Sequence, residues 1–220
     1  MASNLIVKKI TYEDTKPFIL NIHYARRMPC IQYAFGLFEW DEFFETDRLI
    51  GICTFGQPPS PSLCRGIGGE QYRKRVLELN RLCLLPNKNK PNYASKLVGN
   101  ALRQLPKGFY IVSYADTAWG HCGAIYQACN FIYTGLSAKR TDVYSPSGHA
   151  RHATGNPNIR QTRSAKHRYI FITGKGGIKN QMLRDLKYPI KPYPKGDTVR
   201  YDTENPQVLV KTVVYEKEVS

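Results

Sequence analysis

Acidic residues are scarce in this chain. Its 220 residues hold 17 Asp and Glu against 32 Lys and Arg, a formal net charge of +15. An excess of that size attracts polyanions, of which nucleic acid is the commonest. None of the six cysteines, at 30, 53, 64, 83, 122 and 129, falls in a Cys-x-x-Cys pair, which argues against zinc ribbons and fingers. Several lie in apolar runs ("IGICTF", "LNRLCLL"), where cysteine acts as a small buried hydrophobe. No apolar run is long enough to span a bilayer, and no signal-peptide pattern opens the chain. The expectation is a cytoplasmic protein with reduced thiols and no membrane partner. Several catalytic motifs are also missing. The (Asp/Asn)-Pro-Pro-(Tyr/Phe) motif of adenine methyltransferases is absent, since "NPNI" at 156 does not match it. So are both halves of the zinc deaminase signature. "GIGG" and "GKGG" lack phosphate-loop spacing and read as turns.

What is present reads as a mixed α/β chain. "NLIVKKI" is a short strand. Thr11 with Asp14 caps a helix through "TYEDTKPFILNIHYARR", with Pro17 marking a kink or its true start. "CIQYAFGLFE" and "DRLIGICTFG" are strands, and "QPPSPSLCRGIGGEQYRKR" is a long Pro/Gly-rich loop. "VLELNRLCLL" is a strand. "PNYASKLVGNALRQL" is an amphipathic helix with Ala94, Leu97, Val98, Ala101, Leu102 and Leu105 on one face. "KGFYIVSYAD" has the near-continuous apolar centre of an inner strand. "HCGAIYQACN" is a short helix ended by Asn130, with Cys122 and Cys129 on one face. "FIYTGLS" and "HRYIFIT" are strands, and "GGIKNQMLRDL" is a helix. Residues 137–167 read as a long, polar, basic loop. The pattern predicts one domain around a single mixed sheet over residues 1–195, with 196–220 as an extension carrying one strand-like piece, "VLVKTVVY".

The stretch "YADTAWGHCGAIYQACNFIYTG" places Asp116 at the end of an inner strand, where ligands collect in open α/β sheets. Asp116 is equally a favoured cap for the helix that follows. His121 and Cys122 are adjacent and cannot easily share one metal ion. His23 and Tyr24 end the first helix, where a histidine interacts with terminal carbonyls or serves proton transfer. Glu78 and Arg81 stand on "ELNRL", either facing a shared groove or forming an exposed ion pair.

The order of elements from 76 to 136 resembles the core of the GNAT acetyltransferase fold. There two neighbouring strands splay to admit a donor, and a Gly-rich turn before the next helix holds the pyrophosphate of coenzyme A. The corresponding "LPNKNKPNYASK" has no glycine. More narrowly, "HYARRMP" (23–29), "GICTFGQPPSPSL" (51–63), "ELNRL" (78–82), "SYAD" with "GHCGAIYQACNFIYTG" (113–135) and "KHRY" (166–169) resemble the bacteriophage Mom adenine-modification proteins. That resemblance implies an enzyme that puts a carbamoylmethyl group on adenine N6 in DNA, shielding phage DNA from host restriction. It implies catalytic roles for His23, Tyr24, Asp116 and Tyr126. Glu78, Arg81, Ser113, Tyr114 and His121 are placed beside them as substrate or donor contacts. Iron is implied as a possible metal, with His23 and Asp116 the positions open to it. Acetyl-CoA or a glycine-derived compound are the donors considered. The alternative is a GNAT-type acyltransferase acting on a protein or small molecule.

The expected partner is double-stranded DNA, with the oligomeric state left open. Lys139, Arg140, Arg151, Arg160, Arg163, Lys166 and Arg168 supply positive charge for phosphates, and Tyr144 with nearby histidines adds rings. A duplex adenine has to leave the stack before chemistry at N6, so base flipping is expected.

Overall fold

A computed structural model describes residues 5–86, 90–144 and 159–196, and the backbone of 214–216. Strand β1 (Leu5–Lys9) leads to α1 (Tyr12–Pro17). Thr11 and Asp14 close the capping box that the sequence announces. Pro17 sits inside the helix, and the chain continues as a π turn over Phe18–Ile22. Proline lacks the amide proton that an α-helical ladder needs there, and the wider turn accommodates its absence.

Strands β2 (Tyr33–Asp41) and β3 (Thr46–Gly56) form a hairpin. The stretch expected to be a loop then contains a helix, α2 (Pro61–Gly68). Ser60 caps it by accepting from Leu63 N–H, and Pro61 occupies the first turn, where its missing donor is harmless. Next come β4 (Val76–Leu84), α3 (Tyr93–Gln104), β5 (Tyr110–Asp116) and α4 (Ala124–Ala128). They are followed by β6 (Ile132–Leu136), β7 (Arg140–Val143), β8 (Ile159–Arg163), β9 (Lys166–Ile172) and α5 (Gly176–Arg184). A short β10 (Val214–Glu216) is the last described element.

The expected single sheet is two sheets. The main one has the order β1-β2-β3-β4-β5-β9-β6, and the second has β10-β8-β7. The second takes β7 and β8 from the supposed loop 137–167 and β10 from the C-terminal extension, and its strands pair with each other and not with the main sheet. The main sheet separates two apolar layers. On one side α3 lays Leu97, Val98, Ala101 and Leu102 on Phe35, Phe55, Leu77 and Ile111, with Ala94 of the same stripe also buried. On the other, Cys64 and Ile67 of α2 and Met182 of α5 meet Val76, Tyr110, Val112 and Ile172, with Phe18 and Ile19 packed on Ile52 and Cys83 beside them. Four of the cysteines, 53, 64, 83 and 129, are buried as free thiols. Cys122 lies outside α4 and does not share a helical face with Cys129.

Two features of β4 position the site. It pairs with β5, in parallel, over only three residues, Val76–Glu78 against Tyr110–Val112. Beyond that point the two strands part. It also carries a bulge against β3, with Thr54 opposite Arg81 and Phe55 opposite Leu79, leaving Asn80 without a partner. A bulge changes which face each later residue occupies. Glu78 and Arg81 are three apart and would face opposite ways on a regular strand. Here Leu79 and Leu82 both join the α3 layer, so Glu78 and Arg81 share the other face.

Candidate functional site

The parting of β4 and β5 opens a cleft. Most of the residues singled out in the sequence meet there, although they are up to 103 positions apart. His23 and Tyr24 arrive from the end of the π turn. His23 caps that turn, its N–H bonded to Phe18 O at 2.9 Å, and its ring is buried. Tyr24 stacks on it with ring centroids 4.3 Å apart, and is itself 44% exposed. The following segment is stitched over the bulge. Arg81 Nη2 donates to Arg27 O at 2.8 Å, Asn80 Nδ2 to Cys30 O at 2.9 Å, and Gln32 N–H to Phe55 O at 2.8 Å. Gly56 permits this approach, since a Cβ there would lie 1.8 Å from Cys30 O.

Glu78 stands at the last paired position, where the strands separate. Burial raises its pKa, against the pull of Arg81 and Lys166. Among the described residues its carboxylate has neither a hydrogen-bond nor an ion-pair partner. Burial likewise lowers the Arg81 guanidinium, with Tyr24 opposing and Arg27 adding to the fall. Burial holds the His23 imidazole down to about 4, and Arg81 reinforces that.

Asp116 ends β5 and fills both roles the sequence allows. As a cap it accepts Ala118 N–H at 3.0 Å. Its carboxylate also takes a bond from Ser164 Oγ and an ion pair with Lys166 Nζ at 2.6 Å. Lys166 stands directly opposite it across β5 and β9. Burial works to raise the Asp116 pKa, but the Lys166 and Ser164 bonds outweigh it and hold the acid below its usual range. His121 lies close enough to feel that charge, and burial lowers its pKa against it.

Ser113 and Tyr126 line the α3 side of the cleft. Ser113 is buried, and its hydroxyl donates to Leu79 O at 3.2 Å, bridging the strands where their ladder stops. Tyr126 comes from α4, whose start is a left-handed Gly123. A Cβ on that glycine would run into the Tyr169 ring at 2.4 Å. Burial pushes the Tyr126 phenol up to about 12, with the Ser113 hydroxyl opposing and Tyr24 and Glu78 adding to the rise. Tyr114 faces the α2 and α5 layer, and burial raises it to about 12, with Glu78 adding. Trp119, which the sequence reading did not assign a role, stands beside Tyr24 with ring centroids 5.5 Å apart. Its position three residues after a strand-end Asp was the available signal.

The basic residues divide into two groups. Lys139, Arg140 and Arg163 are exposed on and beside the second sheet, and Arg160 is partly so. Arg163 pairs with Asp142 across β7 and β8. Lys166 and Arg168 are engaged inward instead. Arg168 Nε donates to Thr134 Oγ1 at 2.9 Å, and its guanidinium lies 3.5 Å over the Tyr188 ring. Arg151 falls outside the described residues.

The donor set does not suit a metal ion at His23 and Asp116. Among the described residues no three of His, Cys, Asp and Glu come together. Both Asp116 oxygens are already committed, and His23 Nδ1 is occupied by the Ala25 amide at 3.0 Å. No helix among the described residues is long and apolar enough to cross a membrane.

Comparison with known proteins bears on the fold and the family. Arabidopsis thaliana NAA60, solved with acetyl-CoA, has 10% identity and a TM-score of 0.51. The match covers 77% of this chain and 99% of that one, and it carries the fold. A GNAT-family acetyltransferase from Bacillus cereus gives 12% identity and a TM-score of 0.43 over 78% of this chain and 99% of its own. The mixed sheet with flanking helices is that of the GNAT acetyltransferases. The methylcarbamoylase Mom of Escherichia phage Mu is 25% identical over 216 residues, covering 88% of this chain and 85% of its own. The Mom protein family matches residues 4–195, which contain the whole cleft, and the chain belongs to that family.

Proposed function

We propose that this protein is a phage DNA-modification transferase that places a carbamoylmethyl-type group on adenine N6, protecting the DNA from restriction. One observation carries the reading. In a member of the Mom family, His23, Tyr24, Glu78, Asp116 and Tyr126 converge on the opening between β4 and β5. They come from four separate parts of the chain, and core packing alone does not call for a half-buried carboxylate without a cationic partner there.

The chemistry assigns roles. Forming a bond from N6 to the CH2 carbon removes one N6 proton and breaks that carbon's bond to the donor's leaving group, which departs with the electron pair. Glu78, with its raised pKa and free oxygens, is the acceptor placed for it. Tyr126 keeps its proton at neutral pH and acts as a donor or a wall, not as a base. Asp116 is held ionised by Lys166 and anchors the turn that carries Trp119 and His121. Tyr24 and Trp119 offer ring faces at the mouth for an extruded base. The transferred group has a CH2 on nitrogen and a terminal amide, which points to a glycine-derived donor. The arginines of the second sheet, exposed Arg140 and Arg163 and partly exposed Arg160, are suited to phosphate contact.

A GNAT-type acyltransferase is the second reading, favoured by the splayed strands and by a structural relative solved with acetyl-CoA. It predicts coenzyme A binding and no change in DNA. The deciding experiment is nucleoside mass spectrometry of plasmid DNA from bacteria expressing the protein, beside an Asp116→Ala control. A deoxyadenosine heavier by one carbamoylmethyl group in place of hydrogen, present only with the intact protein, supports the first reading. Feeding 13C,15N-glycine then labels that group if the donor is glycine-derived. Unmodified DNA with saturable acetyl-CoA binding supports the second.

A further inference from the structure

His23 reaches the cleft with an unusual polarity. The Ala25 backbone N–H donates to its Nδ1 at 3.0 Å. An amide can only donate, so Nδ1 has to present its lone pair, and the single proton of the neutral ring sits on Nε2. The histidine that most often serves as a base or a metal ligand has the opposite arrangement. Its Nδ1–H donates to a carbonyl or carboxylate, leaving Nε2 free as the acceptor. The contact that fixes the ring is local and stiff. His23 N–H closes the π turn on Phe18 O, and His23 O accepts Arg26 N–H at 3.0 Å, so both sides of the residue are tied. A second proton on the ring, or a metal on Nε2, would put a hydrogen on Nδ1 and set it against the Ala25 N–H.

The other nitrogen is open. No fully buried side-chain nitrogen or oxygen lacks a partner among the described residues, and Nε2 has none there. It therefore has solvent-accessible surface, although the residue as a whole is 8% exposed. Its surroundings favour a donor. Arg81 is close enough to disfavour a second positive charge, and Tyr24 covers one face of the ring.

We infer that His23 is a fixed Nε2–H hydrogen-bond donor to a substrate oxygen, and neither a proton acceptor nor a metal ligand. The acceptor class is the amide carbonyl of the transferred group, which rests on the function proposed above. The donor and the Arg81 guanidinium would hold that oxygen, while Glu78 takes the proton. Burial and Arg81 keep the ring neutral at physiological pH, so the donor is in place without a protonation step.

Two measurements test this, and the first does not depend on the reaction. In the full-length protein labelled with 15N-histidine, the His23 resonances are identified by their loss in His23→Gln. At neutral pH Nδ1 is expected as an unprotonated nitrogen and Nε2 as an N–H, both unmoved by added Fe(II) or Zn(II). A protonated Nδ1, or a metal-induced shift of Nε2, would overturn the inference whatever the enzyme modifies. The second compares variants that keep the wild-type circular dichroism and melting curve. Gln can present an N–H near the imidazole Nε2–H position, and Glu cannot. His23→Gln should keep modification within about 10-fold, and His23→Glu should lose about 10²–10³-fold, the usual cost of one transition-state donor. Equal losses, or better activity with Glu, would overturn it.

Discussion

Lys166→Met separates two accounts of one residue. By charge alone Lys166 belongs to a DNA-binding set. In the fold it faces Asp116 across two strands, with Nζ 2.6 Å from the carboxylate. The two side chains are 39% and 15% exposed, so the pair lies between the surface and buried regimes. Exposed pairs contribute about 0–1 kcal/mol, and breaking a fully buried one costs about 3–5 kcal/mol. Discounted for the solvent at Lys166, the loss should be about 2 kcal/mol, or roughly 4–8 °C in Tm for a chain of this size. The sign follows from Asp116. Its folded pKa is depressed, so its stabilisation is present above the unfolded carboxylate value and lost as pH falls through the folded one. The difference between wild type and variant should therefore be largest near neutrality and vanish in acid. Urea titrations of Lys166→Met, Asp116→Asn and the double variant give the coupling directly. A coupling below about 0.5 kcal/mol would refute the pairing argument. DNA binding adds a second check. A lysine already neutralised by Asp116 should leave the salt slope of binding unchanged, and a fall of about one unit would return it to the phosphate contacts.

Neutralising Arg140, Arg160 and Arg163 together should lower the salt slope by about 1–2 units, since Asp142 already neutralises Arg163, measured by fluorescence anisotropy with duplex DNA. Glu78→Gln should abolish modification yet raise the urea midpoint at neutral pH. A carboxylate whose folded pKa is raised costs stability once pH exceeds the unfolded value, and the amide removes that cost. Wild-type modification should correspondingly fall as pH drops through the raised Glu78 value, and Asp116→Asn should not shift that limb. Gly56→Ala should cost more than about 2 kcal/mol, because the new Cβ meets backbone and not a movable side chain.

The parts of the fold that were legible in the sequence are those set by local period. The α3 stripe, the inner strand β5 and the Asn130 stop all follow from spacing, and Asn130 adopts the left-handed conformation expected of it. Helix α2 was hidden because prolines at 58, 59 and 61 read as breakers, although Ser60 before Pro61 is a start signal. Strands β7 and β8 of the second sheet were hidden because they are polar and pair outside the main sheet, whereas β10 falls on the strand-like "VLVKTVVY". At the site, strand ends and residue types marked Asp116 and Glu78, but neither could reveal its partner. That Lys166 answers Asp116 depends on a 50-residue separation closed by the β5–β9 register. That Glu78 and Arg81 share a face depends on the bulge at Asn80, a polar residue inside an apolar run whose placement was the one clue available.

The segment from Tyr24 to Gln32 has no buried residue of its own. Its hold on the sheet comes from the bonds to Arg81, Asn80 and Phe55, with partly buried Met28 and Ile31 lying against the Phe18 cluster. A stretch with so little of its own in the core opens at a lower free energy than the sheet beneath it. Heat should therefore act on this protein in two stages. Tyr24 and the Ala25 amide that sets the His23 ring would be released first, at temperatures where the seven-stranded sheet is still intact. Catalytic lifetime would then be governed by the stitches at one bulge, and not by the size of the core. Selection for a longer-lived enzyme would act on residues 27–32, 56 and 80–81 before it touched the apolar layers.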